Sequence, residues 1–357
     1  MNTLLHANEL PVLTWNRFNV NYKQIELSNT ADSKIEPNIT GSTNNINIKD
    51  IAVSDELPVI GSNNKVINYI MANASLRKKI VVNKNSHNDL PLIIDLTMHN
   101  DDKLTALFDI ILEENSIANI IISVSAAVKA HGQYADLIRI KAAAHAKANI
   151  TFLQLSGQSS IAFNNITAQL DNEAHIKIHQ IPLGGKTALA SVTANLTGYK
   201  SSVEIYADYI GQSEQDIDLN YVACHYGSKS TSDIKMTGIL LDSSKKTARG
   251  TIDFHRGCKG ASGNESEYVL LLSDKVKNKS VPLILCDEDD VAGNHGAAIG
   301  TLDEEPLFYL KSRGINEKAA RQIFLESTLS RLKNILPANL AAKIDNYSKD
   351  VLCNESI

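Results

Sequence analysis

His295 stands in the run Gly293-Asn294-His295-Gly296-Ala297-Ala298, a lone histidine that reads as structural or solvent-exposed unless its small neighbours leave the imidazole accessible as a metal ligand. Four cysteines, Cys224, Cys258, Cys286 and Cys353, lie far apart with no CxxC pair, which suits a reducing cytoplasm better than a disulfide framework. Cys258 follows His255 by three residues, a spacing that could pair two soft ligands. No second pair completes a four-ligand site of the usual spacing. Cys224 and His225 are adjacent, and adjacent strand residues point to opposite faces. Cys286 ends the apolar run Val281–Leu285 and reads as a buried small hydrophobe. The acidic turn Asp287–Asp290 reads as solvated rather than cation-binding. Gly184-Gly185-Lys186-Thr187 imitates the end of a phosphate-binding loop, but Gln180 occupies the place of its first glycine and Ala188–Thr197 continues in strand-like texture. No nucleotide is therefore expected on this chain.

The elements that must carry these residues are mostly strands. From about Lys79 to Leu285, apolar and polar residues alternate in short runs such as Val203/Ile205/Ala207/Tyr209 and Ile217/Leu219/Tyr221, the signature of half-buried strands. A sandwich, a barrel or a stack of parallel coils fits that texture. Residues 1–27 read as an arm or short helix, with Leu10, Val12, Trp15, Phe18 and Val20 packing on the body. The Asn/Ser-rich stretch 28–49 reads as a linker, and a short helix is expected near Val66–Ala74. Three helices are expected after the strands. The first opens at Asp303-Glu304-Glu305 and stops at Gly314. The second is capped by Asn316 and carries Ala319, Ala320, Ile323, Phe324, Leu329 and Leu332 close to a helical period; the third spans Leu340 to Val351.

Composition narrows the function classes. The 357 residues carry a net charge of −5, which gives no electrostatic footprint for nucleic acid. The longest apolar run, Ile117 to Val128, is too short and too polar to span a membrane. The N-terminus has no basic segment leading into an apolar one, so export is not expected.

Three segments resemble the SufB/SufD family of iron–sulfur cluster assembly scaffolds. Residues 239–250 (ILLDSSKKTARG) are similar to its G-V-L-x-D … A-R-G segment, residues 259–274 (KGASGNESEYVLLLSD) to its K-G-A … L-L-L-S-D segment, and Val281–Gly314 is the strongest match. The resemblance implies a right-handed parallel β-helix over 79–300, an N-terminal region over 1–78, and a C-terminal helical region over 301–357 that docks a SufC-type ABC ATPase. It implies a non-enzymatic cytoplasmic scaffold that pairs with a SufB-like subunit, or with itself. A cysteine desulfurase system would supply sulfur, and a transient Fe–S cluster would form at the subunit interface.

By motif position the implied cluster ligand is His295. The cluster cysteine of SufB-like members falls nearest Glu267, and their glutamates flanking the histidine fall on Asn294 and Gly296; both departures favour the SufD-like branch. Glu267, Cys286 and Cys258 stand as secondary candidates. Phe308, Leu310, Ile323 and Phe324 represent the ATPase-docking region. Two other readings compete. One is a structural partner that provides no ligand. The other is a β-solenoid carbohydrate-active enzyme with Asp218 and Asp253 aligned on neighbouring coils, although only 5% of residues are aromatic.

Overall fold

In the computed structural model the chain is described over residues 2–13, 16–29, 34–52, 57, 64–301 and 310–352. From Leu76 to Thr301 it winds into a parallel β-solenoid of about 8 turns. Each coil contributes one strand to each of two 9-stranded sheets. One sheet runs from Asn38–Gly41 to Val291–Thr301, the other from Ile46–Asp50 to Lys277–Cys286. Period-2 alternation sends every second side chain inward, so isoleucines, leucines and alanines of successive coils stack into one continuous core. The turns stack as well. Asn115, His145, Glu173, Lys200 and Lys229 all adopt positive φ of 54–60°. Each of their amides donates to a carbonyl one coil further on, as from Asn115 to Ala144 (3.1 Å) and from Glu173 to Tyr199 (2.8 Å).

The stretch 28–49 differs from the expected linker. It supplies the strands Asn38–Gly41 and Ile46–Asp50, which pair antiparallel with Leu92–Met98 and Leu76–Val82 and close the N-terminal end. Isolated apolar residues such as Ile39 and Ile46 suffice there, because a finished sheet edge templates the pairing.

Each sheet has its own cover. On one side lies an antiparallel ribbon of Asn2–Ala7 and Lys23–Ser28 with helix α1 (Asn64–Asn73). Val66, Ile67 and Ile70 of α1, with Leu5 and Leu27, bury the outward Leu107, Leu137 and Leu189. This is the ribbon-side sheet. Asp218 holds the ribbon through the buried Arg249 (2.6 Å) and the Asn8 amide (2.7 Å). In the arm, Leu10 and Val20 pack on Val281, whereas Val12 and Phe18 are exposed; Trp15 lies outside the described residues.

On the other side, α2 (Glu317–Asn334) and α3 (Ala338–Leu352) lay Leu325, Leu329, Leu332, Leu340 and Ile344 over Ile121, Leu153, Ile181 and Ile210 of the helix-side sheet. Asn316 caps α2 as expected, its side chain accepting from the Ala319 amide at 2.9 Å. Gly314 (φ +81°) ends the preceding turn, with Ile315 donating back to Leu310 and Gly314 to Lys311, both at 3.0 Å. The expected start of that helix at Asp303–Glu305 lies outside the described residues.

Candidate functional site at the open end of the solenoid

Along the helix-side sheet one inward position reads Leu92, Ile120, Ile150, Ile178, Ile205, Ile234, Glu265, His295, each residue in register with the next. The aliphatic ladder thus ends in a carboxylate and an imidazole. Among the described residues, Val291–Thr301 is the terminal strand of its sheet. His295 consequently faces the solenoid axis yet is exposed, because among the described residues no further coil covers it. Its register neighbour Glu265 lies one coil deeper and is buried. Two glycines shape this end. A Cβ on Gly250 would meet the Glu265 side chain at 2.6 Å, and one on Gly293 would meet Phe254 at 3.1 Å.

Beneath the histidine sits a charged cluster that sequence reading missed. Lys246 and Glu267 are both about 1% exposed and form an ion pair; Lys246 also reaches the Ser280 hydroxyl at 3.3 Å. Burial lowers the Lys246 ammonium, opposed by the charges of Glu267 and Glu265. Burial and the like charge of Glu267 push the Glu265 carboxyl up to about 7, with Lys246 opposing. Glu267 is therefore engaged inside the coil rather than presented at the surface. Only the facing of the two sheets across the solenoid interior reveals the cluster, since Lys246 comes from Lys245–Phe254 and the glutamates from Ala261–Leu271, and in the chain NESEY reads as a polar strand beside an unrelated lysine.

The other expected residues separate. Cys286 is exposed, its Sγ 3.1 Å from the Glu288 carbonyl. It is not the expected buried hydrophobe, because its strand ends the ribbon-side sheet. Cys258 is buried with Ile252, Phe254 and Ala261, and burial raises its thiol, while His255 lies on the outside stacked on Tyr226. The two do not form the soft pair their spacing suggests. Asp218 is bound by Arg249, and Asp253 is in register with Cys224 rather than Asp218, so the paired acids of a sugar-cleaving site are not assembled. Lys186 is followed by the strand Thr187–Leu196, with no helix N-terminus behind it.

On the C-terminal helices the observed core seam is Leu325, Leu329, Leu332 and Leu336. Ile323 (49% exposed) and Phe324 (36%) face away from it. Both fall close to the same helical period as Leu329 and Leu332, but docking on the sheet selects the Leu325 seam. Leu310 is half-buried, and Phe308 lies outside the described residues. His179 and Arg331 bridge sheet and helix through Asp208 (2.7 and 2.6 Å). Burial raises the Asp208 carboxyl, but His179 and Arg331 outweigh it and hold it below its ordinary value.

Residues 97–328 match the family model for the SUF system FeS cluster assembly SufBD core domain. The chain belongs to the SufB/SufD family. Among curated relatives it is similar to the iron–sulfur cluster assembly protein SufD of Bacillus subtilis, with 31% identity over 41% of this chain and 33% of that one. It is also similar to SufBD family proteins of Pyrococcus horikoshii (27%, over 66% of this chain and 52% of that one) and Mycobacterium leprae (26%, over 54% and 52%). The chain thus spans between a third and about half of the length of these relatives. SufB/SufD membership accounts for the solenoid. No helix among the described residues is long and apolar enough to cross a membrane.

Proposed function

We propose that this chain is a non-catalytic, SufD-like scaffold subunit of a cytoplasmic SUF complex. His295 carries the reading: it is an exposed imidazole on the inward face of an uncovered terminal coil. Neutral imidazole is a borderline ligand suited to iron, and the assembling cluster is cargo rather than a resident cofactor. The surroundings favour a partner at this end. Two 10- and 11-residue strands, Lys277–Cys286 and Val291–Thr301, present edges, which proteins ordinarily cover. Ile284 and Ile299 are exposed beside them. A SufB-like subunit meeting this end would supply the thiolate that Glu267, sequestered by Lys246, does not.

In this reading the SufC-type ATPase docks on the C-terminal helices through Ile323 and Phe324, ATP hydrolysis belongs to that partner, and a cysteine desulfurase system delivers sulfur. Asp substitution of both Ile323 and Phe324 removes ATPase binding in pull-down while leaving thermal unfolding unchanged. Loss of the fold, or undiminished binding, contradicts the assignment. Deleting α2 and α3 is a poorer test, because it also uncovers the helix-side sheet. The whole reading is tested by anaerobic co-expression with SufB-like and SufC-type proteins of the same organism. A complex retaining iron and labile sulfide supports it; failure to bind either partner refutes it.

A further inference from the structure

Away from His295, on the outer face of the ribbon-side sheet, three potential ligands of different types converge. Cys224 and Asp253 are register partners on adjacent parallel strands, so their side chains emerge from the same face about 4.8 Å apart. His255 follows Asp253 by two residues and emerges on that face too. The Cys224 sulfur, an Asp253 oxygen and a His255 ring nitrogen all lie within 4.8 Å of one another. His255 Nε2 is 3.1 Å from Asp253 Oδ2. The imidazole plane is set by Tyr226, stacked at 4.2 Å and 9°.

We propose that Cys224, Asp253 and His255 form a binding site for a divalent metal of the zinc class. One sulfur, one nitrogen and one oxygen make a three-ligand set of the kind zinc accepts in tetrahedral sites that keep a fourth position open. Zinc bonds of about 2.0–2.3 Å hold tetrahedral ligands roughly 3.3–3.8 Å apart, a contraction that side-chain rotation supplies. The partial exposure of Asp253 and His255 leaves the fourth position to solvent. His225, the sequence neighbour of Cys224, is excluded as a ligand: it points inward, with Ser230 and Ser232 at 2.8 Å from its two nitrogens.

Burial and the Asp253 charge push the Cys224 thiol up to about 12. Burial raises Asp253 as well, with His255 opposing and Asp287 adding to the rise. Binding exchanges the thiol proton for a metal–sulfur bond and releases that proton to solvent, with no change of oxidation state, so affinity rises with pH.

The test is titration of the full-length, metal-stripped protein with Co²⁺ under reducing, anaerobic conditions, followed by displacement with Zn²⁺. One Co²⁺ per chain, with a thiolate-to-cobalt charge-transfer band and strong tetrahedral d–d bands, is expected. Cys224→Ser keeps the side-chain volume and loses the charge-transfer band; His255→Ala weakens binding at least tenfold. The double variant Cys258→Ala/Cys286→Ala and the single variant His295→Ala keep the wild-type spectrum. No band in the wild type, a band that survives Cys224→Ser, or one lost with His295 or with Cys258 and Cys286 overturns the site. Because its readout is independent of cluster assembly, its failure leaves the reading of His295 untouched, and the reverse holds.

Discussion

The first and last coils share a backbone and differ in what they enclose. From Leu92 to Ile234 the helix-side ladder stacks one aliphatic side chain on another, and each coil is the hydrophobic floor of the next. In the next two coils the same position holds Glu265 and then His295, with Lys246 and Glu267 buried beside them. A polar ladder position contributes little to coil stacking, and buried charge is an expensive way to fill an interior. Burial alone does not explain the change. Buried Asp136, in an earlier coil, is satisfied by the neutral donors Tyr134 and Asn164 (both 2.6 Å) and the Asn165 amide (3.1 Å). Arg139 and Asp109 pair opposite charges on the outer face of the ribbon-side sheet, but among the described residues it is the terminal coils that bury them inside the solenoid beneath an exposed histidine.

This contrast breaks most visibly at the lysine. Lys246→Met leaves Glu265 and Glu267 buried without a cation and is expected to cost about 3–5 kcal/mol at neutral pH. The cost shrinks toward pH 5 as Glu265 takes up its proton, which denaturant unfolding at both pH values measures. Ile178→Ala, in the aliphatic stretch, creates a cavity and costs about 2–4 kcal/mol, equally at both pH values. A pH-independent Lys246→Met would erase the distinction between the two regions.

Glu265→Gln sharpens it with the opposite sign. A carboxyl held near 7 in the fold but near 4 when unfolded keeps its proton longer in the native state. Stability therefore declines as pH rises from about 4 to about 7. Removing that ionisation is expected to stabilise the protein by about 1–3 kcal/mol at pH 8 and hardly at all near pH 4, read from the same unfolding curves. The smallest effect is at the sheet–helix bridge. Arg331 is half exposed, so Arg331→Ala costs under about 1 kcal/mol and shows chiefly as faster amide exchange in α2. Asp208 has a depressed pKa, so its contribution is present above the ordinary aspartate pKa near 4 and is lost as pH falls further.

The strands were legible because period-2 alternation is local, and so was the cap at Asn316. Register was not, because a coil's neighbour lies about thirty residues away, as in the Asn119–Asn149 ladder step (separation 30). Cys224 is judged in the chain against His225, which points inward; its real neighbour is Asp253, a coil later. Glu265 and Lys246 are unrelated letters until the solenoid stacks them. His295 was found through motif resemblance rather than through any physical signal of its own. Ile323 and Phe324 fit a helical period as well as Leu325 does, and only the sheet beneath α2 selects among them.

The central claim is that the histidine at the open end takes part in building the cluster. The most direct measurement is iron and labile sulfide per complex, purified anaerobically with the SufB-like and SufC-type partners, for wild type and His295→Ala. An assembly of unchanged stoichiometry whose sulfide falls to a small fraction of wild type is the predicted result. Unchanged iron and sulfide in an intact His295→Ala complex would contradict it and leave the chain a structural partner alone.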